Sequence, residues 1–391
     1  MAWGGRVAGA GPMDGPLPVA GAGPMDACRW PGAGGRWPGP ADGWSLAGGR
    51  GRVAGAGAGP LDGPLPVACG RAGAGSAGAG VEATSGGWPG ERDGVVWQQK
   101  EYSHMRIGVG LPNGVPGTSG QLLIEWAKRA DEGPFSSLGV VDRLAYDSYD
   151  PLSALAVAAA VTSRVRLATT IVISLLRPTG TLAKAAASLD ALSGGRLVLG
   201  LAVGARREDF EAAGVDYHER GKRLTEQLIA LRTLWEEGAL SPRTEYPSGP
   251  PLLVGGLSDA GFARMARYAD GYVHGGGPPR AFARAADKAR AAWRDFRRPG
   301  QPQIWAQGYF AFGDTAIATG KAYLRDYYAF TGPFAGRIAA ELLTTPQAIA
   351  QFARGYEEAG CDELVLFPTV PDLDQLAQLA NVLNGLGRGA L

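Results

Sequence analysis

"GRLVLGLAVGARREDFEAAGVDYHERGKRLTEQL" spans residues 195 to 228 and changes character in its middle. Residues 196–204 are almost wholly apolar and end on Gly204, and Arg206, Arg207, Glu208 and Asp209 follow at once. A continuous apolar run without alternation reads as a strand covered on both faces, the mark of a parallel sheet. The amphipathic pattern over 217–237 reads as a helix. A buried strand ending in glycine, with a polar loop on its tip, is the unit to look for elsewhere.

That unit recurs. Short apolar runs stand at 106–112, 138–142, 165–173, 196–204, 251–256, 271–276, 304–312 and 363–368. Helical patterns lie between them, among others at 151–163, 182–192, 217–237, 259–269 and 346–359. Eight strand–helix units in somewhat more than the roughly 250 residues of a typical TIM barrel predict an α/β protein with a (β/α)8 barrel. A doubly wound open sheet would want a phosphate loop in its first unit. "GLPNGVPG" at 110–117 lacks the GxGxxG spacing, so the barrel is preferred. Active sites on barrels sit at the C-terminal tips of the strands, where the loops converge. Gly204 and the charged segment behind it are thereby assigned to the mouth.

Residues 1–104 read differently. They hold 28 of the 62 glycines, and "GRVAGAGPMDGPLPVA" at 5–20 returns as "GRVAGAGAGPLDGPLPVA" at 51–68. Two copies without an apolar face do not make a solenoid, and ordering them would cost backbone entropy that little burial offsets. The expectation is a disordered Gly/Ala/Pro-rich N-terminal segment over 1–104. A start codon assigned too far upstream accounts for it as well, since Met105 leads directly into the first strand run. The folded domain is placed at 105–391.

The bulk numbers narrow the function. Of the 391 residues, 38 are Lys or Arg and 37 Asp or Glu, for a net charge of +1. Such a balance gives no electrostatic reason to expect nucleic acid or an anionic membrane as partner. Cys28, Cys69 and Cys361 are widely spaced and cannot all pair, which fits a reducing, cytoplasmic setting. No apolar run approaches the roughly 20 residues of a membrane helix, and the start lacks the form of a secretion signal. Three scattered histidines and three cysteines offer no metal spacing, so no metal is expected. His218 is read as a surface or capping residue. Strand five ends in Gly255-Gly256, and after Leu257 comes Ser258, a good N-cap for the helix over 259–269. Free amides and the dipole at such a helix start make an anion site. Strand six ends in Gly275-Gly276, whose amides could close over the same anion.

On three stretches the chain resembles the luciferase-like flavin and deazaflavin oxidoreductases: 182–228, 250–276 and 150–172, in the order and spacing of that family. The resemblance covers 105–391 and none of the leader. It implies a TIM barrel that binds a reduced flavin or deazaflavin across the mouth, with the cofactor phosphate at Gly255, Gly256, Leu257, Ser258, Gly275 and Gly276. Gly204, Thr169, Thr170 and Ile171 are implied as further cofactor contacts, with a cis peptide between Thr170 and Ile171. Many deazaflavin-dependent relatives carry Asp-His at the tip of strand two. Here the pair is Asp142-Arg143, and an arginine that stays protonated is a poor acid or base but can stabilise developing negative charge. Tyr146 becomes the candidate proton donor.

Two further departures sharpen the reading. Sugar-phosphate dehydrogenases of the family have glutamate where Ala205 stands, which argues against that reaction. Flavin monooxygenases of the alkane and sulfonate branch have tyrosine where Gly221 stands, which tilts the cofactor toward the deazaflavin, coenzyme F-420. The expected function is a hydride-transferring reductase or dehydrogenase acting on a small organic or natural-product substrate. The alternatives are an FMN-dependent monooxygenase using molecular oxygen and, from another class, a non-catalytic cofactor-binding barrel. Relatives often pair, so a homodimer is expected.

Overall fold

The structure, a computed structural model, describes residues 104–387. The reading of 1–104 as a disordered leader therefore lies, but for His104, outside the described residues. Eight parallel strands close into a barrel in sequence order: β1 (Arg106–Gly110), β2 (Ser137–Val140), β3 (Arg166–Ile173), β4 (Leu197–Ala202), β5 (Leu252–Gly255), β6 (Gly271–His274), β7 (Gln303–Phe310) and β8 (Glu363–Pro368). The expected TIM barrel is present, and each apolar run of the sequence overlaps one of its strands, β2 and β7 each starting one residue earlier than expected.

Helices α1 (Gly120–Glu132), α2 (Pro151–Val161) and α3 (Thr179–Ser193) follow the first three strands. A short α4 (Arg207–Ala213) and the longer α5 (Arg220–Glu236) follow β4, and then come α6 (Asp259–Tyr268) and α7 (Pro279–Asp295). Between β7 and β8 the chain makes an excursion through α8 (Asp314–Tyr327) and α9 (Phe334–Ala340) before α10 (Pro346–Glu358). The last helix is α11 (Leu373–Gly385). Caps fix where the helices start: the side chains of Ser119, Asp150, Ser258, Thr345 and Asp372 each accept a bond from a backbone amide of the first turn.

Strand alternation divides the core in two. On β7, Ile304, Ala306 and Phe310 join the layer between barrel and helices, whereas Trp305 and Tyr309 join the cluster inside the barrel. The outer layer holds fully buried Trp126, Leu155, Phe282 and Leu379, each contributing on the order of 2 kcal/mol by leaving water. The inner cluster rises from Ala168, Val198 and Val365 to aromatic rings at the strand tips.

Strand β3 carries one irregularity. Its register against β4 shifts between Thr169 and Val172, and the Thr170–Ile171 peptide is cis. The irregularity lies at the mouth end of the strand, and the cis bond stands where the resemblance implied it.

Candidate active site

The charged segment after Gly204 sends one carboxylate inward. Asp209, in the first turn of α4, is fully buried, and its Oδ1 accepts from the amides of Leu144 (3.1 Å) and Ala145 (2.9 Å). That bond set ties the loop after β2 to the loop after β4. Gly204 itself has φ +74, and a Cβ there would lie 2.6 Å from Ile173 Cγ2, so the close approach of β3 and α4 requires a glycine.

At the tip of β2, Asp142 accepts from the Ile173 amide (2.9 Å) and from Arg177 Nη1 (2.7 Å), and Arg177 reaches on to Asp150 (2.6 Å). Burial pushes the Asp142 carboxyl above its ordinary range, and Arg177 offsets only part of the rise. Asp142 thus holds the segment just past the β3 bulge. Arg143 turns toward the excursion. Its guanidinium lies 4.4 Å from the ring centre of Tyr327 and 4.5 Å from that of Phe330. It donates to the Tyr327 carbonyl (3.3 Å) and stands 3.6 Å from Asp209 Oδ2. Tyr146 donates to Asp326 Oδ2 at 2.6 Å, and burial together with that carboxylate raises its phenol far above the usual range.

The residues expected at the cofactor separate in the structure. Thr169 is spent inside the sheet: its Oγ1 donates to the Gly200 carbonyl (2.7 Å) and accepts from the Gly200 amide (2.8 Å). Thr170 is buried, and its hydroxyl has no partner among the described residues; Ile171 packs against the inner cluster. Across the barrel the two glycine tips lie side by side, because β5 pairs with β6 through Gly255 and Val273. Gly256 has φ +137 and Gly276 φ +102, backbone that L side chains rarely adopt, and the space over Gly256 and Gly275 is open to at least 4 Å. Ser258 caps α6 through the Gly261 amide (3.1 Å), Leu257 is exposed, and the Asp259 carboxylate in the first turn is matched by Lys288 (2.9 Å).

Several further groups stand at the mouth. Gln307 of β7 donates to the Gly275 carbonyl (3.2 Å), leaving its buried Oε1 without a partner among the described residues. His274 is buried at the end of β6 with Nδ1 3.2 Å from the Tyr272 hydroxyl, and burial lowers its pKa to about 4. The excursion contributes a ring cluster. Tyr328 and Tyr309 share a hydroxyl–hydroxyl bond of 2.6 Å, and Tyr327 stacks edge-on against Tyr146 with 5.2 Å between ring centres. The run "DYY" at 326–328 was the one local signal for it. His218 lies in the exposed turn before α5. Among the described residues no helix is long and apolar enough to cross a membrane, and no group of three or more His, Cys, Asp or Glu side chains is placed to hold a metal.

The comparisons agree with this architecture. The model of the luciferase-like monooxygenase family matches residues 105–360. An uncharacterized protein of Mycobacterium tuberculosis is 34% identical, over 40% of this chain and 66% of its own length. Pyrimidine monooxygenase RutA of Escherichia coli is 35% identical over 34% of this chain and 42% of RutA. The chain therefore spans less than two thirds of either curated relative. Among solved structures, monooxygenase RslO1 from Streptomyces bottropensis has a TM-score of 0.59 at 21% identity, over 72% of this chain and 98% of RslO1. An F-420-dependent secondary alcohol dehydrogenase, solved with an F-420–acetone adduct, also scores 0.59, at 16% identity over 72% of this chain and 99% of its own. At such identities these two speak for the fold alone. With the family model covering the barrel from β1 to α10, this chain belongs to the luciferase-like monooxygenase family.

Proposed function

We propose that the protein is an oxidoreductase that holds a reduced deazaflavin, coenzyme F-420, across the barrel mouth and acts on a small organic substrate. The observation that carries the reading is the pair of glycine tips, Gly255-Gly256 and Gly275-Gly276, beside the capped start of α6. Backbone amides there can approach a phosphate that any side chain would hold off, and the helix dipole adds to the attraction. The orphaned Thr170 hydroxyl and Gln307 Oε1 fit a ligand with polar edges. Both are buried among apolar residues, where an unpaired polar atom costs about 1–3 kcal/mol until a ligand pairs it.

When bound, the deazaflavin exchanges a hydride with a substrate carbon, and the protein supplies orientation and electrostatics. In this reading Gly255, Gly256, Leu257, Ser258, Gly275 and Gly276 seat the phosphate through the backbone. Thr170 and Gln307 orient the ring, with Ile171 and Gly204 shaping its wall. Asp142 fixes the β3 bulge through the Ile173 amide. Arg143 sets a positive charge near the reacting oxygen, and Tyr146 donates the proton once its hydroxyl leaves Asp326.

The preference for F-420 over FMN rests on Gly221. A Cβ there would stand 3.3 Å from Arg264 Nη2, which donates to the Gly221 carbonyl at 2.8 Å. The tyrosine of the alkane and sulfonate monooxygenases would displace that arginine. The likeness to RutA supports the second reading, an FMN-dependent monooxygenase. One experiment divides them: titration of the protein with oxidised F-420 and with FMN, followed by visible absorbance. Tighter binding of F-420 is expected. Binding of FMN with none of F-420 would transfer the site to the second reading, and binding of neither would remove both.

A further inference from the structure

The mouth has two unlike sides. Beside the glycine tips of β5 and β6, the tip of the neighbouring β7 and the excursion bring together Tyr309, Tyr323, Tyr327 and Tyr328, with Tyr146 from the β2 loop and Phe367 of β8. Their rings meet edge-on or tilted. Tyr309 is 6.1 Å from Phe367 and 6.0 Å from Tyr328 between centres, and Tyr328 is 5.1 Å from Tyr327. Such a box favours a flat apolar body, which gains from ring edges and faces beyond its buried area.

The cations around the box are already matched. Arg143 and Arg206 face Asp209, at 3.6 and 3.4 Å, and Arg177 faces Asp142 and Asp150. Asp326 on α8 adds one more negative charge, taken up by the Tyr146 hydroxyl. Among the described residues, these three arginines each face a carboxylate, which leaves an anionic substrate no unmatched guanidinium among them. What the box does offer is a hydrogen. Tyr309 and Tyr328 are neutral phenols, both held above the usual range by burial. Two phenols joined by a single bond use only one of their two hydrogens. The second is left for a third oxygen, and neither hydroxyl has another partner among the described residues.

We propose that the Tyr309–Tyr328 hydroxyl pair is the substrate-recognition point of this mouth, donating its spare hydrogen to a neutral carbonyl or hydroxyl oxygen on an aromatic substrate. The inference rests on the oxidoreductase reading for its purpose, but its binding chemistry stands apart from the cofactor. The test therefore uses protein without cofactor and two probes of one ring size, acetophenone and benzoate, with binding followed by calorimetry near pH 7.5. Acetophenone is expected to bind, and benzoate at least about tenfold more weakly. Tyr309→Phe and Tyr328→Phe should each weaken acetophenone by about three- to tenfold, the loss of one neutral hydrogen bond. Both should leave the F-420 titration within about twofold of the parent.

Thermal melts accompany each variant, and Tyr328→Phe, at the half-buried end of the pair, carries the test if Tyr309→Phe fails to fold. Failure of acetophenone to bind overturns the proposal. So does unchanged binding in the folded variants, or benzoate binding as tightly as acetophenone. A protein that binds acetophenone as expected but no F-420 would instead leave recognition standing and remove the cofactor reading.

Discussion

The two ends of the barrel treat a buried carboxylate in opposite ways. At the base, Glu363 opens β8 and is wholly buried. Its Oε1 accepts from Ser136 and Ser137, both at 2.5 Å, while Oε2 faces Arg106 Nε at 3.1 Å and pairs with Arg166. Burial alone would push this carboxyl up, yet the two arginines and two hydroxyls outweigh burial and hold it below the ordinary range. At the mouth, Asp142 has one arginine and one amide, and burial wins. At the base, each Glu363 oxygen is met by two groups, Oε1 by two serine hydroxyls and Oε2 by two arginines. At the mouth, the Thr170 hydroxyl and Gln307 Oε1 have no hydrogen-bond partner among the described residues. The two carboxylates thus differ in how far their partners offset burial.

If the base is structural, breaking it should cost the most. Glu363→Ala strands two arginines and is expected to lower unfolding stability by about 3–5 kcal/mol, read by denaturant melts. Because the folded-state pKa is lowered, this contribution is present above the ordinary glutamate value of 4.5 and is lost as pH falls through the folded-state value. The parent and Glu363→Gln curves should therefore converge at acid pH. Curves that stay parallel from neutral to acid pH would make the network irrelevant to stability.

At the mouth, Arg143→Ala removes the contact between two rings and one partner of Asp209. A loss of about 2 kcal/mol is expected in the same melts. Arg143→Lys should recover less than half of it, because an ammonium keeps the charge but not the planar stacking. Full recovery by lysine would reduce the role of Arg143 to charge alone.

A smaller effect belongs to His274. Its folded-state pKa of about 4 lies below the ordinary 6.5, so the unfolded chain takes up the proton first. Its contribution is complete above pH 6.5 and declines as pH falls toward 4, by about 1 kcal/mol at pH 5.5. His274→Gln should flatten that limb of the stability–pH curve. An unchanged limb would show that His274 takes up its proton equally well in the folded chain.

The same contrast governs what was legible in the sequence. Strands and helices announce themselves by period, so β4 at Leu197–Ala202 falls inside the apolar run 196–204, and α6 ends one residue short of its expected 259–269. The glycine tips and the Ser258 cap were readable because turn and cap chemistry is local. Partnerships across the mouth were not. Arg143 meets Tyr327 across 184 positions, and Gln307 meets Gly275 across 32, with no local pattern to join them. Asp209 was visible only as one charge among four. The loop it closes is formed by chain 64 positions away. Thr169 was named at the cofactor from the resemblance alone, and nothing local in the sequence announces the bond of its hydroxyl to Gly200 on the neighbouring strand.

The central claim is that the glycine side of the mouth seats a cofactor phosphate on bare backbone. Its most direct test is the affinity of Gly256→Val for F-420 and FMN, measured by spectral titration beside a melt of the same sample. The backbone at φ +137 and the open space over Gly256 mean that a branched side chain would strain the turn and fill the space proposed for the anion. Binding of the preferred cofactor is expected to weaken at least about tenfold, or roughly 1.4 kcal/mol, with the barrel still folded. Parental affinity in a folded Gly256→Val protein would contradict the account.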